Sequence, residues 1–409
     1  MKSRNYALLS VSTLVSLRLF AAPPLESLTL DQALTLAENG QPQIAEARAL
    51  VEAAEGRVQQ AGAWPNPEAI AGAQQMPLRG GGANDREYVA GVGLTVPVGG
   101  RVAKAREAER LEREIRARGL EATHREIRQR VHSSFAKALY HERALQLQSE
   151  LARHAARTVD ITRTRLESGD ALREELARAE MELGRARVDE QRAEAMRAQS
   201  LVALAAAMGD ATLVVKSLRG SLEETFEIPT LESLAANLPR LPESEQAEAG
   251  VRASVARLDL AKSERIPDVK VEALYHRLDA SKANTFDLGV SIPLPLFNRG
   301  QGRVKEARAE VAAAEARSRR TQNEQRVQLH ESYSMFSTAL ANRRVYQTEV
   351  IPYAETARKS AEARYAVGDI SLAEVLPIRR DWASVQLGYL ESLRDVMQAW
   401  AAIKALTPR

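Results

Sequence analysis

The chain has 409 residues, with 57 Lys and Arg against 54 Asp and Glu, so its formal net charge is only +3. This near balance gives no electrostatic reason to expect nucleic-acid binding. The chain contains no cysteine, which excludes disulfides, thiolate metal sites, cysteine nucleophiles and a lipid attached to an N-terminal cysteine.

Residues 1–22 have the pattern of a secretory signal peptide. Lys2 and Arg4 precede a mostly apolar stretch over residues 7–20, which leads into Ala21 and Ala22. A short amphipathic N-terminal tail is the alternative interpretation. No other stretch of the sequence approaches the ~20 apolar residues that a membrane-spanning helix needs.

The sequence contains an internal repeat with a spacing of about 200 residues. Three motif pairs define it: GRV at 100–102 and 302–304, WPNP at 64–67 with IPD at 266–268, and SGD at 168–170 with VGD at 367–369. We therefore predict a tandem duplication, with a first repeat at 28–209, a linker at 210–242 and a second repeat at 243–409. Each repeat is expected to contain a helix, two short strands and long helices.

Long helices are predicted in both repeats. The first repeat opens with a helical pattern over 30–63, and the charged runs 101–167 and 303–366 carry apolar residues at three- and four-residue spacing. At 1.5 Å per residue, each run could reach about 100 Å. Such a length is typical of coiled coils, whose solvated faces would account for the many Arg and Glu residues. Pro352 is expected to kink or restart the second run.

Four short segments alternate between apolar residues and polar or small residues. They cover 68–76, 87–96, 269–276 and 285–292. In the second and fourth of these strands, the residues that share the apolar face include Tyr88, Val92, Leu94, Phe286, Leu288, Val290 and Ile292. Strands of about nine residues with this pattern are typical of outer-membrane barrels. Two half-buried hairpins in a soluble domain are the alternative.

Four strands are too few to close a barrel, and lipid tolerates no open sheet edge. A membrane-spanning version therefore requires several chains to contribute strands, and three chains would supply twelve. The short polar segments at 79–85 and 279–284 suit external turns. Pro97, Pro293 and Pro295 are expected to end the strands before the long helices begin.

Three motifs in this arrangement resemble the TolC-like outer membrane efflux proteins. They are LTLDQAL at 28–34, ERIPDV at 264–269 and VSIPLPLFNRGQG at 290–302, and the last two are similar to the heavy-metal, cobalt-zinc-cadmium type branch of that family. The resemblance covers residues 28–406. It implies a mainly α fold with a small β part, in which duplicated coiled-coil hairpins carry four amphipathic strands of a trimeric 12-stranded outer-membrane β-barrel.

The resemblance also implies a function and partners. The chain would be the outer-membrane channel of a tripartite efflux system, with a long periplasmic extension that contacts a periplasmic adaptor and an inner-membrane RND-type pump. Divalent heavy-metal cations are the expected cargo, and organic compounds or protein are the alternative cargo for the same architecture. A soluble periplasmic coiled-coil scaffold is the alternative of a different class, and the amphipathic strands argue against it.

The points where the long helices turn back are the expected adaptor contacts. Gly169-Asp170 and Gly368-Asp369 interrupt the helical patterns with a residue suited to a positive φ. These pairs would form the tips of the periplasmic helices.

Two acids near the tips are the candidate gate residues. Glu175 and Glu374 each lie six residues after a tip glycine, where the family carries acids that line the periplasmic constriction. A ring of carboxylates there would attract cations and disfavour anions. Pro377 stands where the family has a second acid, so the constriction is expected to be built differently from that of relatives. An ordinary solvated helix face is the alternative for both acids.

The sequence offers no convincing active site. The histidines have no helical pair at metal-binding spacing; they are His124, His132, His141, His154, His276 and His330. The GGG run at 80–82 lacks the following Lys and Ser or Thr of a phosphate-binding loop. We therefore expect no catalytic residue, no cofactor and no resident metal.

Overall fold

The structure, a computed structural model, describes residues 25–75, 86–224, 226, 229–279 and 281–407. These residues form a mainly helical protein with a small β part, which confirms the predicted class. The predicted signal peptide at 1–22 and the predicted turn at 79–85 lie outside the described residues. Met76, at the end of the first predicted strand, and Ala280, in the second predicted turn, also lie outside them.

The order of helices, two strands and long helices occurs twice along the chain. The helices are α1 (Leu30–Gly40), α2 (Pro42–Ala61), α3 (Arg101–Glu167), α4 (Arg173–Met208), α5 (Leu231–Asn237), α6 (Pro242–Ser263), α7 (Gln301–Val345), α8 (Ile351–Ala366) and α9 (Leu372–Ala405). The strands are β1 (Leu28–Thr29), β2 (Glu68–Gln74), β3 (Glu87–Val96), β4 (Leu218–Arg219), β5 (Val269–Leu278) and β6 (Asn284–Ser291).

Local sequence signals set the first two helices. Thr29 begins α1 with a capping box: its hydroxyl accepts a hydrogen bond from the Gln32 backbone N–H at 3.3 Å, and its own N–H donates to the Gln32 side chain at 3.0 Å. Pro42 lies in the first turn of α2, where the missing N–H has no helical partner to lose. The prediction of one helix over 30–63 is therefore wrong, because Pro42 cannot continue α1.

The two long runs differ in continuity. α3 has 67 residues and, at 1.5 Å per residue, a length of about 100 Å. The run predicted as one helix over 303–366 is divided, since α7 ends at Val345 and a π-helical turn, Tyr346–Val350, precedes α8. Pro352 lies in the first turn of α8 and lacks the N–H that an unbroken helix would use. Within the described ranges, we find no helix that is both long and apolar enough to cross a membrane.

The two hairpins form one antiparallel sheet in the order β2-β3-β5-β6. The central pair, β3 with β5, joins the two repeats, and β2 and β6 are the edges. β5 extends two residues beyond the predicted end at 276, to Leu278, and β6 is displaced by one residue from the prediction. Ile292 therefore lies just after β6, immediately before Pro293.

The main apolar core lies about midway along α3, between the sheet and the far helix ends. Phe135, Leu139 and Leu204 are fully buried there, on α3 and α4. β4 pairs in parallel with β1, so the linker returns to the start of the first repeat. In a second core, Leu234 of the linker helix α5 packs against Phe336 of α7 and against residues of α9.

Candidate functional site

The sheet has one exposed apolar face. The β3–β5 register places Val92 opposite Ala273 and Leu94 opposite Val271, and the β5–β6 register places Leu288 opposite the same Ala273. Directly paired residues of an antiparallel sheet project to the same side. The predicted residues of β3 and β6 therefore share one face: Tyr88, Val92, Leu94, Phe286, Leu288 and Val290. Val271 and Tyr275 of β5 lie on the same face.

Exposure on this face is high for such large apolar side chains. Leu288 is 75% exposed, Val290 69% and Phe286 65%. Ile292, beyond the strand end, is half exposed. β2 contributes only alanines to this side, because Ala69 pairs with Val92 while Ile70 pairs with Gly91 and so lies on the opposite face. A contiguous exposed apolar face of this kind needs a lipid or protein partner.

The opposite face, called the polar face below, carries most of the charged side chains of the sheet, together with Ile70, Val89 and Leu274. It also holds a contact that the sequence did not reveal. His276 of β5 lies between two carboxylates, with Nδ1 2.5 Å from Glu87 Oε1 and Nε2 3.4 Å from Asp287 Oδ2. Lys270 bridges Glu68 at 3.2 Å and Glu272 at 2.9 Å on the same face.

These polar contacts depend on the register of strands from different repeats. Glu87 and His276 are 189 positions apart in sequence. The alternation within each strand places each residue on a face of its own strand, but it does not predict that the two side chains meet. Acids outnumber bases on this side, which gives the face a cation-attracting character. Among the described residues, no group of three or more His, Asp or Glu side chains is arranged to hold a metal ion.

The two predicted tips have the same backbone structure. Gly169 has φ +82° and Gly368 has φ +79°, both in the left-handed region that favours glycine. At the first tip the Asp170 N–H donates to the Arg165 carbonyl at 2.7 Å, and at the second the Asp369 N–H donates to the Arg364 carbonyl at 2.9 Å.

Each tip therefore ends its helix with a Schellman motif. The glycine N–H supplies the second bond of the motif, from Gly169 to Leu166 and from Gly368 to Tyr365, each at 3.1 Å. A Cβ added to either glycine would meet no atom within 4 Å, so the glycines are required by their φ angle and not by crowding.

The two gate candidates occupy equivalent positions with different partners. Glu374 lies in the first turn of α9, and its Oε2 accepts from both the backbone N–H and the hydroxyl of Ser371 at 2.9 Å. The backbone hydrogen bond from Ser371 and then its hydroxyl lower the pKa of the exposed Glu374 carboxyl, so it is firmly ionised at neutral pH. Glu175 lies in the first turn of α4, where the capping position is Leu172, which cannot bond to it through its side chain.

The tips of one chain are held side by side. Val159 of α3, Ala179 of α4 and Leu372 of α9 form a small buried cluster between them. Nearby, Arg380 of α9 pairs with Glu182 of α4 at 2.5 Å. Both repeats therefore present their tips, and both candidate acids, at the same end of the molecule. Pro377 lies inside α9, exposed, one turn beyond Glu374.

Comparison with known proteins identifies the family. The chain belongs to the outer membrane efflux protein family, whose model matches residues 33–210 and 234–408. It is 26% identical over 385 residues to the cobalt-zinc-cadmium resistance protein CzcC of Cupriavidus metallidurans, an alignment that covers 93% of this chain and 90% of that protein. The predicted family is confirmed by the family match, and CzcC is a relative of the predicted heavy-metal type.

Solved structures share the fold at low sequence identity. A membrane protein from Pseudomonas aeruginosa has a TM-score of 0.81 and 18% identity, with 92% of this chain and 90% of that chain covered. CusC, studied for its folding and transmembrane channel formation, has a TM-score of 0.74 and 18% identity, with 93% of this chain and 92% of that chain covered. This chain therefore shares the fold of these two proteins over 92–93% of its length.

Proposed function

We propose that this protein is the outer-membrane channel of a tripartite efflux system and passively conducts cargo from the periplasm to the exterior. The observation that carries the proposal is the four-stranded sheet, which has an apolar exposed face, a polar opposite face and two free edges. Three such sheets would close a 12-stranded barrel with lipid outside and a polar lumen inside. The long helices would then continue the conduit into the periplasm.

Divalent heavy-metal cations are the proposed cargo. The relative CzcC is named for cobalt, zinc and cadmium resistance, which supports metal export by this chain. The acidic polar face agrees with cation passage, since carboxylate rings in a narrow pore concentrate cations. Conduction also requires weak binding, so a channel for metals does not need a tight metal site.

Two kinds of partner complete the proposed system. A periplasmic adaptor would dock on the tips at Gly169-Asp170 and Gly368-Asp369, because helix ends offer backbone groups and a compact exposed target. The adaptor would connect the channel to an inner-membrane RND-type pump, which would supply the energy and select the cargo. We assign no catalytic residue and no cofactor to the channel itself.

The experiment is fractionation followed by a resistance assay. The protein should sediment with outer membranes, resist salt and alkali, and be released only by detergent as a trimer. Deletion of its gene should sensitise cells to zinc, cobalt or cadmium, and a plasmid copy should restore resistance. Release by salt or alkali alone would favour a peripheral scaffold, and sensitisation only to organic compounds would favour the other cargo.

A further inference from the structure

A row of polar contacts crosses all four strands of the polar face, at the end of the sheet farthest from the helices. The Gln75 amide, just after β2, donates to Glu87 Oε2 of β3 at 3.1 Å. Glu87 Oε1 lies 2.5 Å from Nδ1 of His276 on β5, and Nε2 of the same ring lies 3.4 Å from Asp287 Oδ2 on β6. One imidazole therefore lies between carboxylates of the two neighbouring strands.

The contact with Glu87 determines which nitrogen of His276 carries hydrogen. An ionised carboxylate can only accept hydrogen bonds, so the nitrogen at 2.5 Å from Glu87, Nδ1, is the donor. In the neutral ring the other nitrogen, Nε2, then has a free lone pair, because the hydrogen bond of one ring nitrogen sets the role of the other. Nε2 is therefore an acceptor or a metal ligand.

The Nε2 lone pair is buried and has no hydrogen-bond donor. His276 is only 9% exposed, and within the described part of the chain its Nε2 has no hydrogen-bond partner. The group that Nε2 faces, the Asp287 carboxylate, is also an acceptor. A buried acceptor without a partner costs free energy, and a second acceptor beside it adds repulsion. A cation between the two atoms would satisfy both.

The charge at this end of the polar face differs from that at the other end. Near the helices, Lys270 pairs with both Glu68 and Glu272. Among the residues that the structure describes, no Lys or Arg pairs with Glu87 or Asp287, whose ion-pair partner is His276. The Asp287 side chain is 64% exposed, so a solvated ion can reach it. The contacts around His276 therefore leave negative charge accessible to a cation.

The distance between the two acceptors fits a transition-metal ion. Zinc binds imidazole nitrogen at ~2.0–2.1 Å and carboxylate oxygen at ~2.0–2.2 Å, so tetrahedral geometry places two ligand atoms roughly 3.4 Å apart. His276 Nε2 and Asp287 Oδ2 are 3.4 Å apart. Glu87 has the position of the outer carboxylate that accepts the second N–H of a metal-binding histidine. The imidazole nitrogen favours zinc or cobalt over calcium or magnesium.

We propose that His276 Nε2 and Asp287 bind a divalent transition-metal ion weakly, with Glu87 as the positioning residue and water as the remaining ligands. The inference rests on the proposed function for its place in the lumen, where the site would lie near the external mouth, but all its contacts lie within one chain. Two protein ligands hold an ion less tightly than the three or four of resident metal sites. Cargo could therefore bind here and leave, as conduction requires.

The test is calorimetric titration of zinc chloride into detergent-solubilised trimers. His276→Asn keeps an amide N–H for Glu87 and removes Nε2, and Asp287→Asn changes an exposed side chain with little risk to folding. Each should abolish one zinc site per chain that the wild-type protein shows. Glu87→Gln should raise the zinc dissociation constant of that site by about tenfold, since loss of an outer carboxylate weakens the imidazole ligand.

Two controls and a spectrum separate metal ligation from general charge. Glu272→Gln removes one negative charge from the same face and should leave the zinc dissociation constant of the site unchanged. Calcium has the charge of zinc but prefers oxygen ligands, so no calcium binding should depend on His276. With cobalt as the probe, the wild-type protein should show the visible absorption of nitrogen-ligated cobalt. This absorption should weaken in Glu87→Gln and disappear in His276→Asn.

The outcomes distinguish this inference from the proposed cargo. Zinc binding that is the same in the wild-type protein, His276→Asn and Asp287→Asn would overturn the site, and so would an equal loss in Glu272→Gln. If gene deletion sensitises cells to zinc while these titrations show no such site, the cargo proposal stands and the site falls. If the variants lose the zinc site while gene deletion leaves metal resistance unchanged, the site stands and the cargo proposal falls.

Discussion

α3 of the first repeat and α7 of the second have similar charged sequences but different surroundings. α3 lies between α2 and α6 and exchanges ion pairs with both, for example Arg113 with Glu55 at 2.6 Å and Glu114 with Arg252 at 2.7 Å. α7 packs on α6 and α9, while Val327 and Met335 on its outer side are mostly exposed. The strands repeat the pattern, since β3 is central and β6 is an edge.

The difference shows that duplication copies elements but not environments. α3 and β3 thus lie in the interior of the chain, whereas their counterparts α7 and β6 lie on a free flank on which other molecules can pack. The division of the second long helix fits this view. Its π-helical turn brings Tyr346 against Gly388 of α9, where an added Cβ would be 2.5 Å from the Tyr346 hydroxyl. α3 has no such turn and is continuous from Arg101 to Glu167.

The largest expected effect concerns the proposed lipid face. Leu288→Asp on the edge strand and Val92→Asp on the central strand should both impair insertion, because a charge on the lipid side of a barrel costs on the order of 2 kcal/mol near the midplane. Ser291→Asp, on the polar face opposite Lys270, should be tolerated. The measurement is the yield of heat-modifiable trimer in outer membranes.

Unequal results would sharpen the contrast between the strands. If Leu288→Asp fails while Val92→Asp inserts normally, only the edge strand meets lipid and the apolar side of β3 must be covered by protein. Equal tolerance of all three substitutions would show that the face assignment is wrong.

The next effect concerns the tips, where the two repeats are alike. Gly169→Val and Gly368→Val force a β-branched residue to a positive φ, at a cost of about 1–2 kcal/mol each, and should distort the tip. Gly169→Asn and Gly368→Asn are the matched controls, since asparagine tolerates this conformation. The valine double variant should lose adaptor binding and metal resistance while its trimer remains in the membrane.

A different pattern would revise the docking proposal. Full resistance and adaptor capture in the valine double variant would remove the tips from the docking surface. The same conclusion would follow if crosslinks to the adaptor mapped only to the strand end of the molecule.

Much of the fold follows from local sequence patterns. The alternation in β3 and β6 identified the exposed apolar set because a strand period of two needs no tertiary information. The division at Pro42 could also have been predicted from local sequence, since the residue before a proline disfavours the helical conformation. The break before α8 was predicted from Pro352, but no local pattern specifies the π-helical form of the turn or its contact between Tyr346 and Gly388.

The polar face marks the limit of sequence reasoning about the site. The contact between His276 and Glu87 depends on the register between repeats, which no local pattern specifies. The roles of Glu175 and Glu374 depend on their placement around the pore of an assembled trimer, so they stay predictions.

A smaller expected effect is a dependence of folding stability on pH that comes from His132 on α3. Burial, followed by the charge of Lys404, lowers the pKa of His132 on α3 to about 4, against an opposing contribution from Asp31. The unfolded chain binds this proton below pH 6.5 and the folded chain does not until about pH 4, so stability should fall as pH falls through this window. The free energy of unfolding should fall by at most about 1.4 kcal/mol per pH unit, and the partial exposure of His132 makes the fall smaller.

The matched control is the exposed His330 of α7. His132→Gln should flatten the dependence of the unfolding temperature on pH between 6.5 and 4, as followed by circular dichroism in detergent. His330→Gln replaces an exposed histidine on the other long helix, and the unfolding temperature of this variant should match that of the wild-type protein at pH 7. An equal effect of the two substitutions would contradict the contrast between α3 and α7.

The smallest effect on the fold, and the most specific for transport, concerns Glu374 and Glu175. Glu374→Gln removes a charge but keeps a side chain that can still accept from the Ser371 N–H, because glutamine also serves in a capping box. Three lost charges in a narrow ring should reduce selectivity for cations over anions in planar bilayers. Glu175→Gln should act more weakly, given the neighbouring Arg173 and Arg178. Glu374→Ala, which also removes the cap, distinguishes a loss of helix stability from a loss of charge. Single-channel recordings in which Glu374→Gln keeps wild-type conductance and selectivity would return Glu374 to the solvated surface of α9, with a structural role as the partner of Ser371.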